Sequence, residues 1–272
     1  MLDWCRSARV PGLLGSFALR PGPRPAMIRR QMESVREERV AVVSGGGSGI
    51  GREIALELGR RGFALALLGR RPEPLAETLA AAGLLATPAG LALPCDVRDA
   101  AAVERAAAAV TERWGAAEVV VPAAGTARIR PFSELAPEDF ATTLDTNLTG
   151  AYLLLHALLP AMRRRGRGWI FAVLSVAARR GFAGWAAYCA SKWGLAGLLA
   201  ALREELSGSG VRLTAIYPGA TDTAIWDGIP GTWNRAAMVP PAEVARAVGC
   251  ALDADPRSLY EEIHLGPAGG AL

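Results

Sequence analysis

From about residue 39 onward, short apolar runs alternate with longer stretches of helical period. The runs at 39–44, 63–69, 90–95, 118–121, 168–174 and 211–217 are apolar almost continuously, with no polar residue at every second position. That is the pattern of strands covered on both faces, as in a parallel sheet. Between them, 49–60, 100–114, 137–164 and 185–207 place apolar residues at helical spacing. Strand–helix repetition of this kind predicts an α/β fold, a doubly wound parallel sheet with right-handed crossovers. No internal repeat and no linker follows residue 38, so 39–272 reads as one domain.

The first 38 residues stand apart. Pro11, Gly12, Gly15, Pro21, Gly22, Pro23 and Pro25 punctuate a segment with neither helical nor strand period. Three readings fit it: a disordered extension, an Arg-rich targeting segment, or non-native sequence upstream of a start at Met27 or Met32. We take it as an appendage outside the fold.

Composition and charge then exclude several classes. With 51% hydrophobic and 21% charged residues in a 272-residue chain, there is material for a well-buried core. The net charge of +4 is concentrated in the extension: residues 1–31 carry six Arg and one Asp, leaving 24 basic and 25 acidic groups in the remainder. A neutral body offers no electrostatic footprint for nucleic acid. The cluster Arg163, Arg164, Arg165, Arg167 reads as a solvated helix end, where cations oppose the macrodipole. The most apolar helical stretch, 151–162, is interrupted by His156 and Pro160 and is too short to span a bilayer, so no membrane association is expected. Cys5, Cys95, Cys189 and Cys250 show no metal-ligand spacing. They read as free thiols of a reducing, cytoplasmic compartment, and no metal is expected.

The candidate chemistry begins at the end of the first strand. Ser44-Gly45-Gly46-Gly47-Ser48-Gly49-Ile50-Gly51 runs straight into a helix, where glycines allow a tight turn and a helix N-terminus offers N–H donors to a pyrophosphate. Eighteen residues past Gly51, the second strand ends in Gly69-Arg70-Arg71. An NAD site normally places an acid there, whereas Arg70 suits the 2′-phosphate of NADP. Asp96-Val97 follows the third strand, its carboxylate placed either to accept from an adenine amino group or to cap the next helix. Tyr188 and Lys192 share a helix face at i,i+4, with Ser175 thirteen residues before Tyr188 and Asn147 in the preceding helix. The chain holds 29 Arg and a single Lys, and that Lys is Lys192; Asn147 is one of only two Asn. A sequence that uses Arg for every other cation keeps one compact ammonium where a guanidinium cannot substitute.

On these motifs the chain resembles the single-domain branch of the short-chain dehydrogenases/reductases, from about Arg39 to the C-terminus. The resemblance implies a Rossmann-type domain. It places the family's glycine motif on Gly45, Gly49 and Gly51, with Gly47, Ser48 and Ile50 beside the cofactor, and the catalytic set on Asn147, Ser175, Tyr188 and Lys192. The cofactor site extends to Arg70, Arg71, Asp96, Val97, Ala124 and Gly125. It takes in the Pro218-Gly219 segment that packs on the nicotinamide, with Thr221 and Thr223 near the carboxamide and phosphates. One departure is Pro122-Ala123-Ala124-Gly125 in place of the usual Asn-Asn-Ala-Gly, which loses two amides that tie the strands together, so a less rigid turn is expected.

What the resemblance implies for function is an NADP(H)-dependent oxidoreductase, with NAD(H) as the alternative cofactor, interconverting a small carbonyl compound and its alcohol. Tyr188 is the implied general acid/base, Ser175 a hydrogen-bond donor to the developing alkoxide, and Lys192 the group that stabilises the phenolate and holds the nicotinamide ribose. Asn147 is implied to position a water. A homodimer or homotetramer is implied as well. Two other readings stand beside it: an NAD-dependent alcohol dehydrogenase and a non-catalytic nucleotide sensor on the same fold. Residues 222–239, with Trp226, Ile229, Trp233 and Met238, read as a lid, and Phe182 and Trp185 as further lining. Arg179 and Arg180 are placed either to hold a substrate carboxylate or as solvated loop cations.

Overall fold

In the computed structural model, which describes residues 38–270, the apolar runs become the strands of one seven-stranded parallel sheet. They are β1 (Val40–Ser44), β2 (Ala64–Gly69), β3 (Gly90–Pro94), β4 (Val119–Pro122), β5 (Gly168–Val173), β6 (Val211–Pro218) and β7 (Glu262–Leu265), arranged in the order β3-β2-β1-β4-β5-β6-β7. The helices are α1 (Gly49–Arg60), α2 (Pro72–Ala81), α3 (Ala100–Trp114), α4 (Pro137–Leu144), α5 (Gly150–Arg165), α6 (Ala186–Glu205) and α7 (Pro241–Leu252). Residues 1–37, and with them nearly all of the expected extension, lie outside the described residues.

The doubly wound parallel arrangement is as the sequence pattern predicts. Every residue of β1 and β4 is buried, because helices cover both faces of the sheet. One apolar layer joins Ala41, Val43, Leu65 and Leu67 to Ile54, Ala55 and Leu58 of α1 and Val244 and Val248 of α7. The opposite layer joins Val42, Val120 and Ile170 to Val103 of α3, Leu154 and Leu158 of α5, and Leu195 of α6. Strands β2 and β4 both pair with β1, so the chain reverses direction across the sheet there, and the carboxyl ends of β1 and β4 border the crevice.

Two details differ from the sequence pattern. The helix expected over 137–164 is interrupted by a π turn, Asp145–Thr149, between α4 and α5. Such a turn re-aims one side chain without ending the helix, and the side chain here is Asn147. The second concerns the turn after β4. Ser44, only 2% exposed, accepts the main-chain N–H groups of Ala123 at 3.2 Å and Ala124 at 3.3 Å through its hydroxyl. The β1–β4 tie expected to be missing is thus made from the β1 side.

Ser44→Ala removes the partner of two N–H donors in a half-buried turn, at a cost of about 1 kcal/mol. Chemical denaturation should show that loss; a change within experimental error would mean the turn is held by other contacts.

Candidate active site

The glycine turn is the first part to be positioned. Gly45 adopts φ +69°, and a Cβ on it would lie 2.9 Å from the Ala124 main chain. At Gly51 a Cβ would lie 2.4 Å from the Gly45 carbonyl oxygen. Gly49, with φ +52°, opens α1 after the cap residue Ser48. Backbone therefore packs on backbone, and the N-terminus of α1 faces the crevice where anions are stabilised by unsatisfied N–H groups.

Two cavities open on this crevice. The smaller, about 220 Å³, is lined by Gly45, Gly47, Ser48, Gly69, Arg70, Arg71, Asp96, Val97, Ala124 and Gly125, all anticipated from the sequence. Arg70 and Arg71 are exposed, and among the described residues neither forms an ion pair. The sequence reading overlooked Arg98, Thr126 and Arg128 in this lining. Arg98 matters most: its Nη2 lies 2.6 Å from the Asp96 carboxylate and its main-chain N–H donates to the same group at 3.0 Å. Those contacts hold the Asp96 carboxyl below the usual carboxylate range, first through the Arg98 side-chain hydrogen bond. The cap of α3 is Asp99, not Asp96: it accepts the Ala102 N–H at 3.1 Å.

The larger cavity, about 420 Å³, is lined by Ile50, Ser175, Tyr188, Pro218, Gly219, Thr221 and Thr223, together with Phe182, Trp185, Trp226 and Trp233. The last four form a continuous aromatic wall. Trp185 meets Tyr188 edge-on at 5.5 Å and Trp226 at 5.9 Å, and Trp226 lies 4.7 Å from Trp233. Of the other lid residues, Ile229 and Met238 are buried and do not line the cavity.

Lys192 and Asn147 lie behind the cavities. Lys192 is 4% exposed; its Nζ donates to the Val173 carbonyl at 2.9 Å and stands 5.7 Å from the Tyr188 ring centroid. The Asn147 amide donates to the Thr126 carbonyl and to Ser191 Oγ, each at 2.9 Å, and its Oδ1 accepts the Thr126 N–H at 2.8 Å. Both amide hydrogens are engaged, so the side chain anchors the 126 loop to α6. Ser191, overlooked in the sequence, completes the chain by donating to the Tyr188 carbonyl at 2.7 Å. A small hydroxyl on the buried face beside Lys192 was the available signal.

Electrostatics follow from burial. Removal from water pushes the Tyr188 phenol up to about 12, opposed by a hydrogen bond with Ser175. It draws the Lys192 amine down from its ordinary 10.5 to about 8. Both charged forms are disfavoured, which is what desolvation does to an acid and a base alike. The result is a buried phenol that keeps its proton at neutral pH, with a buried amine behind its ring.

A family model described as short chain dehydrogenase matches residues 39–232. The chain belongs to the short-chain dehydrogenase family. Like other short-chain dehydrogenases it is an NAD(P)-dependent oxidoreductase acting between CH–OH and C=O. Sepiapterin reductase from Chlorobaculum tepidum is 34% identical over 243 residues, covering 86% of this chain and 98% of that enzyme. Among solved structures, an alcohol dehydrogenase from the archaeon Thermococcus sibiricus, complexed with 5-hydroxy-NADP, superposes with TM-score 0.78 at 31% identity, over 87% of this chain and 99% of that one. A variant of actinorhodin polyketide ketoreductase with NADPH gives TM-score 0.77 at 30% identity, over 85% and 96% of the two chains. Among the described residues of this short-chain dehydrogenase, no helix is long and apolar enough to cross a membrane.

The buried lysine makes a prediction about stability. Below about pH 8 the amine is protonated in both folded and unfolded chains, and the fold bears the whole cost of burying the cation. Above about pH 10.5 it is neutral in both and that cost is gone. Lys192→Met, which keeps length and loses charge, should therefore stabilise the protein at pH 7 by on the order of 1–3 kcal/mol, after the lost hydrogen bond is deducted. The gain should shrink as pH rises toward 10.5. Melting curves at pH 7 and 9.5 measure it, and a destabilised variant at pH 7 would contradict the account.

Proposed function

We propose that this short-chain dehydrogenase interconverts a small ketone or aldehyde and its alcohol with NADP(H), with Tyr188 as the general acid/base. The observation that carries the reading is the placement of Tyr188 and Ser175 together in the larger cavity, with the Lys192 amine 5.7 Å from the phenol ring. The glycine turn, the α1 N-terminus and the open lining of the smaller cavity fit a dinucleotide. Gly69 and Arg70 fit its 2′-phosphate, since β2 itself ends in no carboxylate to repel it and an exposed guanidinium follows, with only a longer-range attraction to Asp96. Ala124, Gly125, Pro218, Gly219, Thr221 and Thr223 would border the rest of the cofactor.

When bound, the cofactor supplies or accepts a hydride at the substrate carbon. The protein's residues manage the oxygen and the proton. Tyr188, protonated at neutral pH, gives its proton to the carbonyl oxygen during reduction, and its phenolate takes the hydroxyl proton in the reverse direction. Ser175 donates a hydrogen bond to the same oxygen as negative charge develops on it. Lys192 offsets the phenolate charge from behind the ring. Asn147, its amide engaged by Thr126 and Ser191, locks the 126 loop to α6 beside this site. A cytoplasmic location and assembly into a homodimer or homotetramer, through the faces of α5 and α6 that expose Tyr152 and Trp193, complete the reading.

Tyr188→Phe keeps the ring and removes the proton, so turnover should fall by about 10²–10⁴ while NADPH still binds; near-normal turnover would remove Tyr188 from the mechanism. Lys192→Arg should be severely impaired in the same assay.

Cofactor preference is tested separately. The wild type should favour NADPH over NADH by on the order of tenfold. Arg70→Ala should weaken NADPH selectively. Gly69→Asp should reverse the preference, and there is room for it, since the first atom met by a Cβ is the flexible Leu75 side chain at 3.2 Å. Equal kcat/KM with both cofactors in the wild type would overturn the assignment of Arg70.

A further inference from the structure

Arg179 and Arg180 are adjacent in sequence and have opposite roles in the fold. The Arg179 guanidinium donates to the Tyr217 hydroxyl at 2.9 Å, pairs with Glu262 of β7, and lies 4.5 Å from the Tyr217 ring centroid. It is consumed by the β6–β7 edge. Arg180 turns the other way and lines the larger cavity, with its guanidinium 4.6 Å from the Phe182 ring centroid. Among the described residues no carboxylate pairs with Arg180, and neither Asp nor Glu lines that cavity. An unneutralised cation thus stands at the rim of a site whose other polar side-chain groups are hydroxyls and indole N–H groups.

The wall between that cation and the catalytic hydroxyls is aromatic and fixed in place. Trp226 donates its indole N–H to the Thr221 carbonyl at 2.8 Å, and Trp233 donates to the Ile229 carbonyl at 3.3 Å. Their donors are spent inside the lid, so the rings present carbon faces and edges to the cavity. The lid is clasped as well. Arg235 reaches Asp222 at 2.5 Å, Asp227 at 2.9 Å and the Thr223 carbonyl at 2.9 Å, while a bridge pairs Thr221 with Val239 at its base. A preorganised aromatic wall favours flat rings, which gain stacking and edge contacts that aliphatic groups do not.

We propose that the substrate is a planar aromatic ketone or aldehyde bearing an anionic group: the carbonyl at Tyr188 and Ser175, the ring along Trp185 and Trp226, and the anion at Arg180. This rests on the carbonyl-reduction reading above and assigns Arg180 as a specificity-determining residue.

The test compares kcat/KM with NADPH for 4-formylbenzoate, its neutral methyl ester and cyclohexanecarbaldehyde. The wild type should favour the acid over the ester by about fivefold or more, chiefly through KM, as expected for a charge pair at a partly solvated rim. Arg180→Gln should bring that ratio close to one. Trp226→Leu should erode the preference for both aromatic aldehydes over the cyclohexyl compound. An acid-to-ester ratio near one in the wild type, or one that survives Arg180→Gln, overturns the proposal while leaving carbonyl reduction intact. If no aldehyde is reduced, the carbonyl-reduction reading fails, and calorimetry on the NADP-saturated protein then decides the anion site alone. Binding of 2-naphthoate that is tighter than that of 2-naphthamide and is weakened in Arg180→Gln supports it, and equal binding of the two overturns it.

Discussion

No side chain fits at Gly51. A Cβ there would stand 2.4 Å from the carbonyl oxygen of Gly45, closer than real non-bonded carbon and oxygen approach, and that exclusion fixes where α1 begins. Because Gly45 in turn lies against the Ala124 main chain, β1, α1 and the turn after β4 are locked together without an intervening side chain. The crevice between β1 and β4 follows from this contact, and so does the direction in which the α1 N-terminus points. Ser44 adds the polar half of the same lock by accepting the two N–H groups that follow β4. The remaining site residues are placed relative to this corner by the sheet, whose strands deliver their carboxyl ends to one side.

The residues behind the cavities are held by a different means. Lys192, Asn147 and Ser191 form no ion pair among themselves; they are tied through main-chain carbonyls and one amide. Anchoring a cation to a carbonyl rather than to a carboxylate leaves its charge available to the neighbouring phenol. The same choice leaves that charge poorly compensated, which is why burial lowers the amine to about 8. Stability and chemistry pull in opposite directions at this residue, as they often do where a site must hold an unsatisfied charge.

Much of this was legible in the sequence because it was written in residue types that few other roles explain. Continuous apolar strands announced a sheet covered on both faces, and the glycines before α1 announced the turn. The lone Lys in an Arg-rich chain pointed to Lys192 before any geometry. Other features left no such mark. Strand β7 is only four residues long and half exposed, Glu-Ile-His-Leu, so it lacks the continuous apolar run of its neighbours. The π turn at Asp145–Thr149 adds one residue to a helical turn, too small a change to disturb an apolar pattern that continues through it. Ser44 looked like the start of a glycine loop, and its role as a strand tie depends on residues 79 and 80 positions away. Likewise, no local rule separates Arg179 from Arg180; the distinction arises because Glu262 and Tyr217 reach only one of them.

The concentration of all lysine character in one buried position also changes how the protein meets amine chemistry. Apart from the α-amino group at the start of the chain, Lys192 is the only primary amine in 272 residues. Burial lowers it to about 8, so more of it is unprotonated at neutral pH than of an ordinary lysine, yet the fold shields it at 4% exposure. An acylating or isothiocyanate reagent would therefore meet no surface lysine, and an isotopic methyl group placed on Lys192 would give a single lysine resonance from the centre of the site. The Arg-for-Lys economy of this sequence thus gives it a built-in spectroscopic handle.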